Sequence, residues 1–181
     1  MARLTIYGDF NCPFSALASV RADVLLARRF EIDWRAVQHD VEIAARGEIV
    51  DGDFAVELAA EVASVMELGE HDVGFRLVTP PVRSNTAAAC ATFAATRDDR
   101  DGLRRRLFAA VWSEGRNVGE RSQLKRLGAS AHDTVTARDW QTEFDALPRP
   151  VVPTLVLPDG YVSRGLGALA RLAAMSGGSG S

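Results

Sequence analysis

The chain has 181 residues, of which 47% are hydrophobic and 25% are charged, and its formal net charge is −3 at pH 7. These values are typical of one globular domain with a proper core, or of one domain that carries a large insertion. The slightly negative charge gives no electrostatic footprint for nucleic acid. Arg104, Arg105 and Arg106 lie beside acidic residues, so we interpret them as a solvated helix face. No apolar run reaches the length of about 18 residues that a membrane span needs.

The start of the chain lacks the basic and then apolar pattern of a signal peptide, so we expect a cytoplasmic protein. The two cysteines, Cys12 and Cys90, lie far apart, which argues against a disulfide framework. Residues 176–181 contain only glycine and serine. We interpret them as a flexible tail with the composition of an added linker.

The first forty residues predict a strand, a helix and a second strand. Residues 3–8 are interpreted as a buried strand, and residues 13–29 carry apolar side chains at helical spacing. Residues 30–37 alternate apolar and polar side chains, which is typical of a half-buried strand. This order predicts a βαβ unit with a right-handed crossover.

The middle of the chain predicts helices. Residues 53–69 and 102–114 place apolar side chains at helical spacing. Ser84 and Asn85 offer an N-cap for a helix that runs to residue 96. Shorter helices are predicted at 120–127 and 137–147. We therefore expect residues 53–147 to form an all-helical insertion subdomain.

The last part of the chain returns to strands. Residues 151–157 and 161–164 are predicted strands joined by a turn at Pro158-Asp159-Gly160, and an amphipathic helix follows. Strands at both ends of the chain that enclose helices predict a small mixed sheet. Residues 1–52 and 148–175 would then form one discontinuous α/β domain.

The segment Asp9-Phe10-Asn11-Cys12-Pro13-Phe14-Ser15 places a cysteine between the first strand and the first helix. Proline is favoured at the first helical position, so we expect Cys12 at the N-cap. Free backbone N–H groups and the helix dipole favour negative charge there, and the thiolate is the nucleophilic form of cysteine. We predict that Cys12 is uncovered, ionised near neutral pH and catalytic together with Pro13. The alternative is a buried, inert cysteine that precedes a proline. Cys90 lies among alanines and is expected to be a core residue.

Ser15 stands where a Cys-x-x-Cys enzyme carries its second thiol. A thiolate that attacks a disulfide forms a mixed disulfide, which the second thiol of a dithiol enzyme resolves. Serine cannot form that bond, although its hydroxyl can hydrogen-bond the Cys12 sulfur. An external thiol must then release the mixed disulfide. The alternative is that Ser15 is a helix-surface residue without a role.

His39 follows the second predicted strand, at the sheet edge where such folds place their sites. It is a candidate general base, or a cation near Cys12. The alternative is an exposed loop histidine without a role. The spacing of the histidines and cysteines does not predict a metal site.

Five segments in this order resemble the DsbA-like branch of the thioredoxin superfamily. Within it they are most similar to FrnE-type oxidoreductases, 2-hydroxychromene-2-carboxylate isomerases and kappa-class glutathione transferases. The resemblance is carried by Asp9-Phe10-Asn11-Cys12-Pro13-Phe14, Ser84-Asn85-Thr86, residues 107–118, Val152-Pro153-Thr154 and Gly165-Leu166-Gly167. It implies an α/β thioredoxin-like fold with an inserted all-helical subdomain and a ligand cleft between the two parts.

The resemblance also implies a cis peptide bond between Val152 and Pro153 beside Cys12, the alternative being a trans proline that starts a strand. It makes Phe14, Asn85, Val152 and Pro153 candidates for binding a substrate or a thiol. The amides of Gly165, Leu166 and Gly167 suit a carboxylate of a thiol cofactor. Relatives that use glutathione carry serine at the position of Cys12, so this chain departs from their pattern.

We therefore predict a thiol-disulfide oxidoreductase with Cys12 as its sole nucleophile, acting on a small thiol or disulfide. Its co-reactant would be glutathione or another low-molecular-weight thiol, and no tightly bound cofactor is expected. A thiol-dependent isomerase or transferase and a non-catalytic peptide binder on the same fold are the alternatives. No nucleic-acid or membrane partner is expected, and a homodimer is left open.

Overall fold

The structure is a computed structural model that describes residues 3–96, 102–129 and 131–177. In chain order its elements are β1 (Arg3–Gly8), α1 (Pro13–Ala27), β2 (Glu31–Ala36), β3 (Glu48–Ile49), α2 (Gly52–Leu68), β4 (Val82–Arg83), α3 (Ala87–Ala94), α4 (Leu103–Trp112), α5 (Arg121–Arg126), α6 (Thr134–Asp145), β5 (Thr154–Val156), β6 (Val162–Arg164) and α7 (Leu166–Gly177). The predicted strand–helix–strand start, the helical middle and the strand–strand–helix end are all present.

The main sheet has the strand order β2-β1-β5-β6. Strand β1 pairs parallel with β2 and antiparallel with β5, and β5 pairs antiparallel with β6. The two central strands therefore come from opposite ends of the chain, with Ile6 of β1 beside Leu155 of β5. This is the mixed sheet that the sequence predicts, and β1, α1 and β2 form its βαβ unit.

Helix α1 lies at the centre of the molecule, packed against α7, α4, α2 and β2. Leu17, Ala18, Ala22 and Leu25 on this helix are all 0% exposed. A helix that is covered on most sides needs no single apolar stripe, and small residues such as alanine let neighbouring helices approach closely. The start of α1 is thus held rigidly by the core.

The inserted helices share one core with the sheet. Helices α3 and α6 pack against β2, and α4 packs against α1. The expectation that residues 53–147 are entirely helical is wrong at one place, because Val82–Arg83 is strand β4 and pairs antiparallel with β3. A two-residue strand is too short to produce the alternation by which strands are predicted from sequence.

Helix α3 begins at Ala87, but its N-cap differs from the predicted one. Its N-cap is Thr86 rather than Ser84 or Asn85. The Ser84 hydroxyl instead accepts a hydrogen bond from the amide of Val118 at 3.0 Å. Ser84, a residue type that often caps helices, therefore connects the loop before α3 to the loop that contains Val118.

Arg104 does not lie on a solvated helix face, because it is only 1% exposed. Its guanidinium donates to the carbonyl of Ser19 at 2.9 Å and to Asp23 at 2.6 Å, and it lies 5.1 Å from the centre of the Trp34 ring. The side chain of Arg105 stays 66% exposed. The charge pattern was misleading because it does not show which side of α4 faces α1.

The end of the chain differs from the predicted tail in its first two residues. Ser176 and Gly177 belong to α7, and the hydroxyl of Ser176 donates to the carbonyl of Ala173 at 3.1 Å. The remaining tail residues, 178–181, lie outside the described residues. None of the helices in the described ranges has the length and apolar character that crossing a bilayer requires.

The substitution Arg104→Ala should lower the free energy of unfolding by about 2–4 kcal/mol, because it removes a buried cation that is paired with Asp23 and bonded to the Ser19 hydroxyl and carbonyl. The matched control is Arg105→Ala, which removes an exposed arginine from the same helix and should change stability by less than about 0.5 kcal/mol. Urea unfolding followed by circular dichroism measures both. Equal effects of the two substitutions would contradict the structural role of Arg104.

Candidate active site

Cys12 is the N-cap of α1, and Pro13 occupies the first helical position as predicted. The carbonyl of Cys12 accepts the amide of Ala16 at 3.1 Å, and the amide of Cys12 donates to the carbonyl of Asp9 at 3.1 Å. The bond to Asp9 closes the turn before the helix, and the bond from Ala16 closes the first turn of the helix. The sulfur is therefore held on a fixed backbone.

The expectation of an uncovered, ionised Cys12 is wrong for this structure. The residue is 7% exposed, and burial raises the pKa of its thiol to about 11, with the charge of Asp9 adding to the rise. Hydrogen bonds from Ser15 and Phe14 lower this pKa but do not outweigh burial. At neutral pH the Cys12 thiol is therefore protonated.

The peptide bond between Val152 and Pro153 is cis, the isomer that the resemblance implies. Its loop lies against the start of α1, where the Cys12 thiol donates to the Val152 carbonyl with an Sγ–O distance of 3.9 Å. The carbonyl of Pro153 accepts the amide of Gly165 at 2.8 Å. These contacts bring the segments before α1, β5 and α7 together.

Ser15 is fully buried, so it is not a helix-surface residue. Its hydroxyl oxygen accepts the amide of Asp9 at 3.3 Å. Its side chain also hydrogen-bonds the Cys12 sulfur, which lowers the pKa of the Cys12 thiol against the larger effect of burial. Ser15 thus contacts both the nucleophile candidate and the turn that carries it.

A cavity of about 470 Å³ opens beside Cys12, and we call it the cleft. Of the predicted site residues, it is lined by Cys12, Pro13, Phe14, His39, Val152, Gly165 and Leu166. Ser15 and Pro153 contact these residues from inside the protein without lining the cleft. The structure therefore gathers most of the predicted site around one space.

Two predicted binding elements do not reach the cleft as expected. The side chain of Asn85 donates to the carbonyl of Ile43 at 2.6 Å and accepts the amide of Ala87 at 3.2 Å, so it fixes the loop before α3. Gly167 does not line the cleft, and the amide of Gly165 already donates to Pro153. The predicted carboxylate site on three amides is therefore incomplete.

The inserted segment supplies cleft residues that sequence reasoning missed. Phe54 and Leu58 of α2, Arg83 of β4 and Trp112 of α4 line the same cleft as Cys12. The guanidinium of Arg83 lies 5.1 Å from the centre of the Phe54 ring. The indole N–H of Trp112 donates to the carbonyl of Phe10 at 2.8 Å, which joins α4 to the Cys12 loop. Only the tertiary fold shows that these residues share a cavity with the cysteine.

His39 is paired with a buried carboxylate. Its ring Nδ1 lies 2.6 Å from Oδ2 of Asp9, and its backbone amide donates to the same oxygen at 3.0 Å. Asp9 is 1% exposed, and its other oxygen accepts the amide of Asn11 at 2.9 Å and the hydroxyl of Thr86 at 3.2 Å. The hydrogen bond to Asp9 raises the pKa of His39, against the opposing effect of burial.

Residues 3–139 of the sequence match the DSBA-like thioredoxin domain family. The chain belongs to this family. A probable DsbA oxidoreductase from Streptomyces coelicolor superposes with a TM-score of 0.75 over 100% of this chain and 92% of its own, at 16% identity. A 2-hydroxychromene-2-carboxylate isomerase superposes with a TM-score of 0.62 over 97% of this chain and 94% of its own, at 21% identity. No curated protein matches the sequence.

These similarities establish the predicted fold, a DsbA-like thioredoxin fold of mixed α/β architecture. Members of this family include oxidoreductases and isomerases, in line with the two solved structures. At 16% and 21% identity these structures share the fold of this chain.

Burial of Cys12 makes the stability of the folded chain depend on pH at the alkaline end. The folded-state pKa of about 11 lies above the ordinary value of 9.0, so the unfolded chain loses this proton first. The stabilising contribution is complete below pH 9 and is lost as the pH rises toward 11, by about 1.4 kcal/mol per pH unit. Burial raises the pKa of the Cys90 thiol as well, so the comparison is made in a Cys90→Ala background. Unfolding measured there from pH 7 to pH 11 should show a larger loss of stability with Cys12 present than in Cys12→Ala. Parallel curves would contradict the raised pKa of Cys12.

Proposed function

We propose that this protein is a one-cysteine thiol-disulfide oxidoreductase, in which Cys12 forms a mixed disulfide that an external low-molecular-weight thiol resolves. The observation that carries the proposal is the placement of the Cys12 sulfur at the N-cap of α1, on the wall of the cleft and 3.9 Å from the Val152 carbonyl. The second cysteine, Cys90, is 4% exposed and does not line the cleft. Cys12 is thus the thiol that a substrate in the cleft would meet.

The exchange proceeds in two displacements. The Cys12 thiolate attacks one sulfur of a disulfide, so that a bond forms between Cys12 and that sulfur while the substrate S–S bond breaks and a thiol leaves. A second small thiol then attacks the mixed disulfide and releases Cys12. The net reaction turns one disulfide and one thiol into a new disulfide and a new thiol, with no net change in the protein.

The cleft suits a small substrate. Its volume of about 470 Å³ lies within the range of about 300–1,000 Å³ that is usual for small-molecule sites. Phe14, Phe54, Leu58 and Trp112 offer apolar contact, and His39, Arg83 and Glu61 offer charge. Glutathione is one thiol of suitable class as co-reactant. A reaction that depends on a free thiol also fits a reducing compartment, so a cytoplasmic location is part of the proposal.

A variant that restores the second thiol tests this proposal. With excess bis(2-hydroxyethyl) disulfide and no added thiol, the wild type should accumulate one mixed disulfide on Cys12, seen by intact-protein mass spectrometry. Ser15→Cys should instead end as an internal disulfide that has lost two hydrogens and carries no adduct, because its new thiol resolves the first product. Cys90→Ala is the matched control and should behave as the wild type. A wild type that forms no adduct would overturn the proposal.

The raised pKa of Cys12 favours a second candidate function, a thiol-dependent isomerase or transferase. A protonated Cys12 can donate a hydrogen bond to the sulfur of a bound thiol cofactor, as a serine does, without attacking the substrate itself. The similarity of fold to a 2-hydroxychromene-2-carboxylate isomerase supports this second candidate.

The substitution Cys12→Ser separates the two functions. Serine keeps a hydroxyl donor at the same position but cannot form a disulfide. Under the exchange mechanism, turnover of glutathione with a small disulfide, followed by a coupled assay for oxidised glutathione, should fall to the uncatalysed rate. Under the second mechanism, binding of glutathione measured by calorimetry should persist in this variant, whereas Cys12→Ala should weaken it. A Cys12→Ser variant that retains disulfide exchange would contradict the nucleophilic role of Cys12.

A further inference from the structure

We propose that His39 is the base that accepts the proton of Cys12 during exchange, and that buried Asp9 positions it. This inference rests on the proposed function and deepens it, because it assigns the residue that makes the nucleophile. It is carried by the geometry of the Asp9–His39 pair and by the position of His39 on the same cleft as Cys12.

The chemistry of Cys12 requires a proton acceptor. Its thiol is protonated at neutral pH because of burial, and the Val152 carbonyl that it contacts accepts a hydrogen bond without taking the proton. Two other ionisable groups besides His39 line the cleft, Arg83 and Glu61. Arginine stays protonated and cannot accept a proton. Glu61 is exposed on α2, and within the described ranges no hydrogen bond or ion pair orients it.

His39 is oriented for this task by Asp9. The contact of 2.6 Å between Nδ1 and Oδ2 of Asp9 places the proton of the neutral ring on Nδ1 and leaves the lone pair on Nε2. Among the described residues, Nε2 has no hydrogen-bond partner. The imidazole side chain is 41% exposed while the Asp9 side chain is 1% exposed. The ring is thus held from the protein side and open toward the cleft.

Asp9 links the proposed base to the nucleophile. Asp9 accepts the Cys12 amide through its own carbonyl and holds His39 through its carboxylate. Its second carboxylate oxygen takes the amide of Asn11 and the hydroxyl of Thr86. These bonds fix the relation between the two sides of the cleft. Under this proposal Nε2 of His39 must reach the Cys12 thiol across the cleft, directly or through one bridging water molecule.

The charged groups around His39 set its basicity. Asp9, before α1, and Asp40, in the same loop as His39, raise its pKa, whereas burial and Arg83 of β4 lower it. Asp40 is itself bound to Arg83 at 2.6 Å, which lowers the pKa of its carboxyl. The net effect is a pKa above the ordinary 6.5. The neutral, proton-accepting form of His39 therefore increases as the pH rises through and above neutrality.

The proton balance closes within one cycle. Nε2 of His39 takes the thiol proton as Sγ of Cys12 attacks the substrate disulfide, so the ring becomes an imidazolium beside Asp9. The imidazolium then gives this proton to the departing thiolate sulfur. The ring returns to its neutral form with the proton on Nδ1, ready for the resolving thiol.

The test is a single-turnover reaction with bis(2-hydroxyethyl) disulfide, a probe without charge, in a Cys90→Ala background from pH 5 to pH 10. Adduct formation on Cys12 should rise through an inflection above pH 6.5, and a second rise should follow only as the pH approaches the Cys12 pKa of about 11. In His39→Ala the rate at pH 7.5 should fall at least about tenfold, the inflection should disappear, and added imidazole should restore part of the rate. His71→Ala is the matched control, because the His71 side chain is 93% exposed and outside the cleft, and it should leave the rate unchanged.

A second variant, His39→Gln, keeps a hydrogen-bond donor toward Asp9 but has no basic nitrogen. It should show the folded circular dichroism spectrum of the wild type together with the low rate of His39→Ala. The inference is overturned if both His39 variants keep the wild-type rate and inflection while Cys12 still forms its adduct. A wild type that forms no adduct at any pH removes the proposed function itself, a result distinct from the first.

Discussion

The arrangement of the site depends on one buried carboxylate. Asp9 follows strand β1 and accepts hydrogen bonds from Asn11, from Thr86 before α3, and from both the backbone and the ring of His39 after β2. A carboxylate that is 1% exposed must have such partners, because an unpaired buried charge is very costly. The need to satisfy one charge thus holds three distant segments together. The turn that carries Cys12 is one of them.

Two opposing effects act on the Cys12 sulfur, and their magnitudes decide its state. The start of a helix stabilises a negative charge by about 0.3–2 kcal/mol. Burial raises the pKa of the thiol from 9.0 to about 11, a net cost to the charged form of about 3 kcal/mol. Burial therefore wins, and the protein at rest holds a thiol. In the proposed exchange the nucleophile is made only when a substrate and a base are both present.

The sequence was informative where local physics decides the structure. Proline after cysteine, at the end of an apolar strand, placed Cys12 at a helix start, and period-two alternation located β2. It was uninformative where packing decides. The burial of Cys12 and Arg104 depends on which helices cover α1, and Asn85 could not be assigned to a loop contact from its place in a motif. Phe54 and Trp112 reach the cleft only because α2 and α4 fold back over the first helix.

Ser15 links the missing second thiol to the shape of the cleft. In a dithiol site the second cysteine attacks the mixed disulfide from inside the protein. Ser15 is fully buried at that position and can only hydrogen-bond the sulfur. In the proposed exchange the resolving thiol must therefore enter from the cleft and attack the substrate sulfur from the side away from Cys12. The same apolar walls then contact first the disulfide and later the thiol. Under this proposal one cavity selects both reactants, because a hydroxyl at position 15 cannot act as an internal nucleophile.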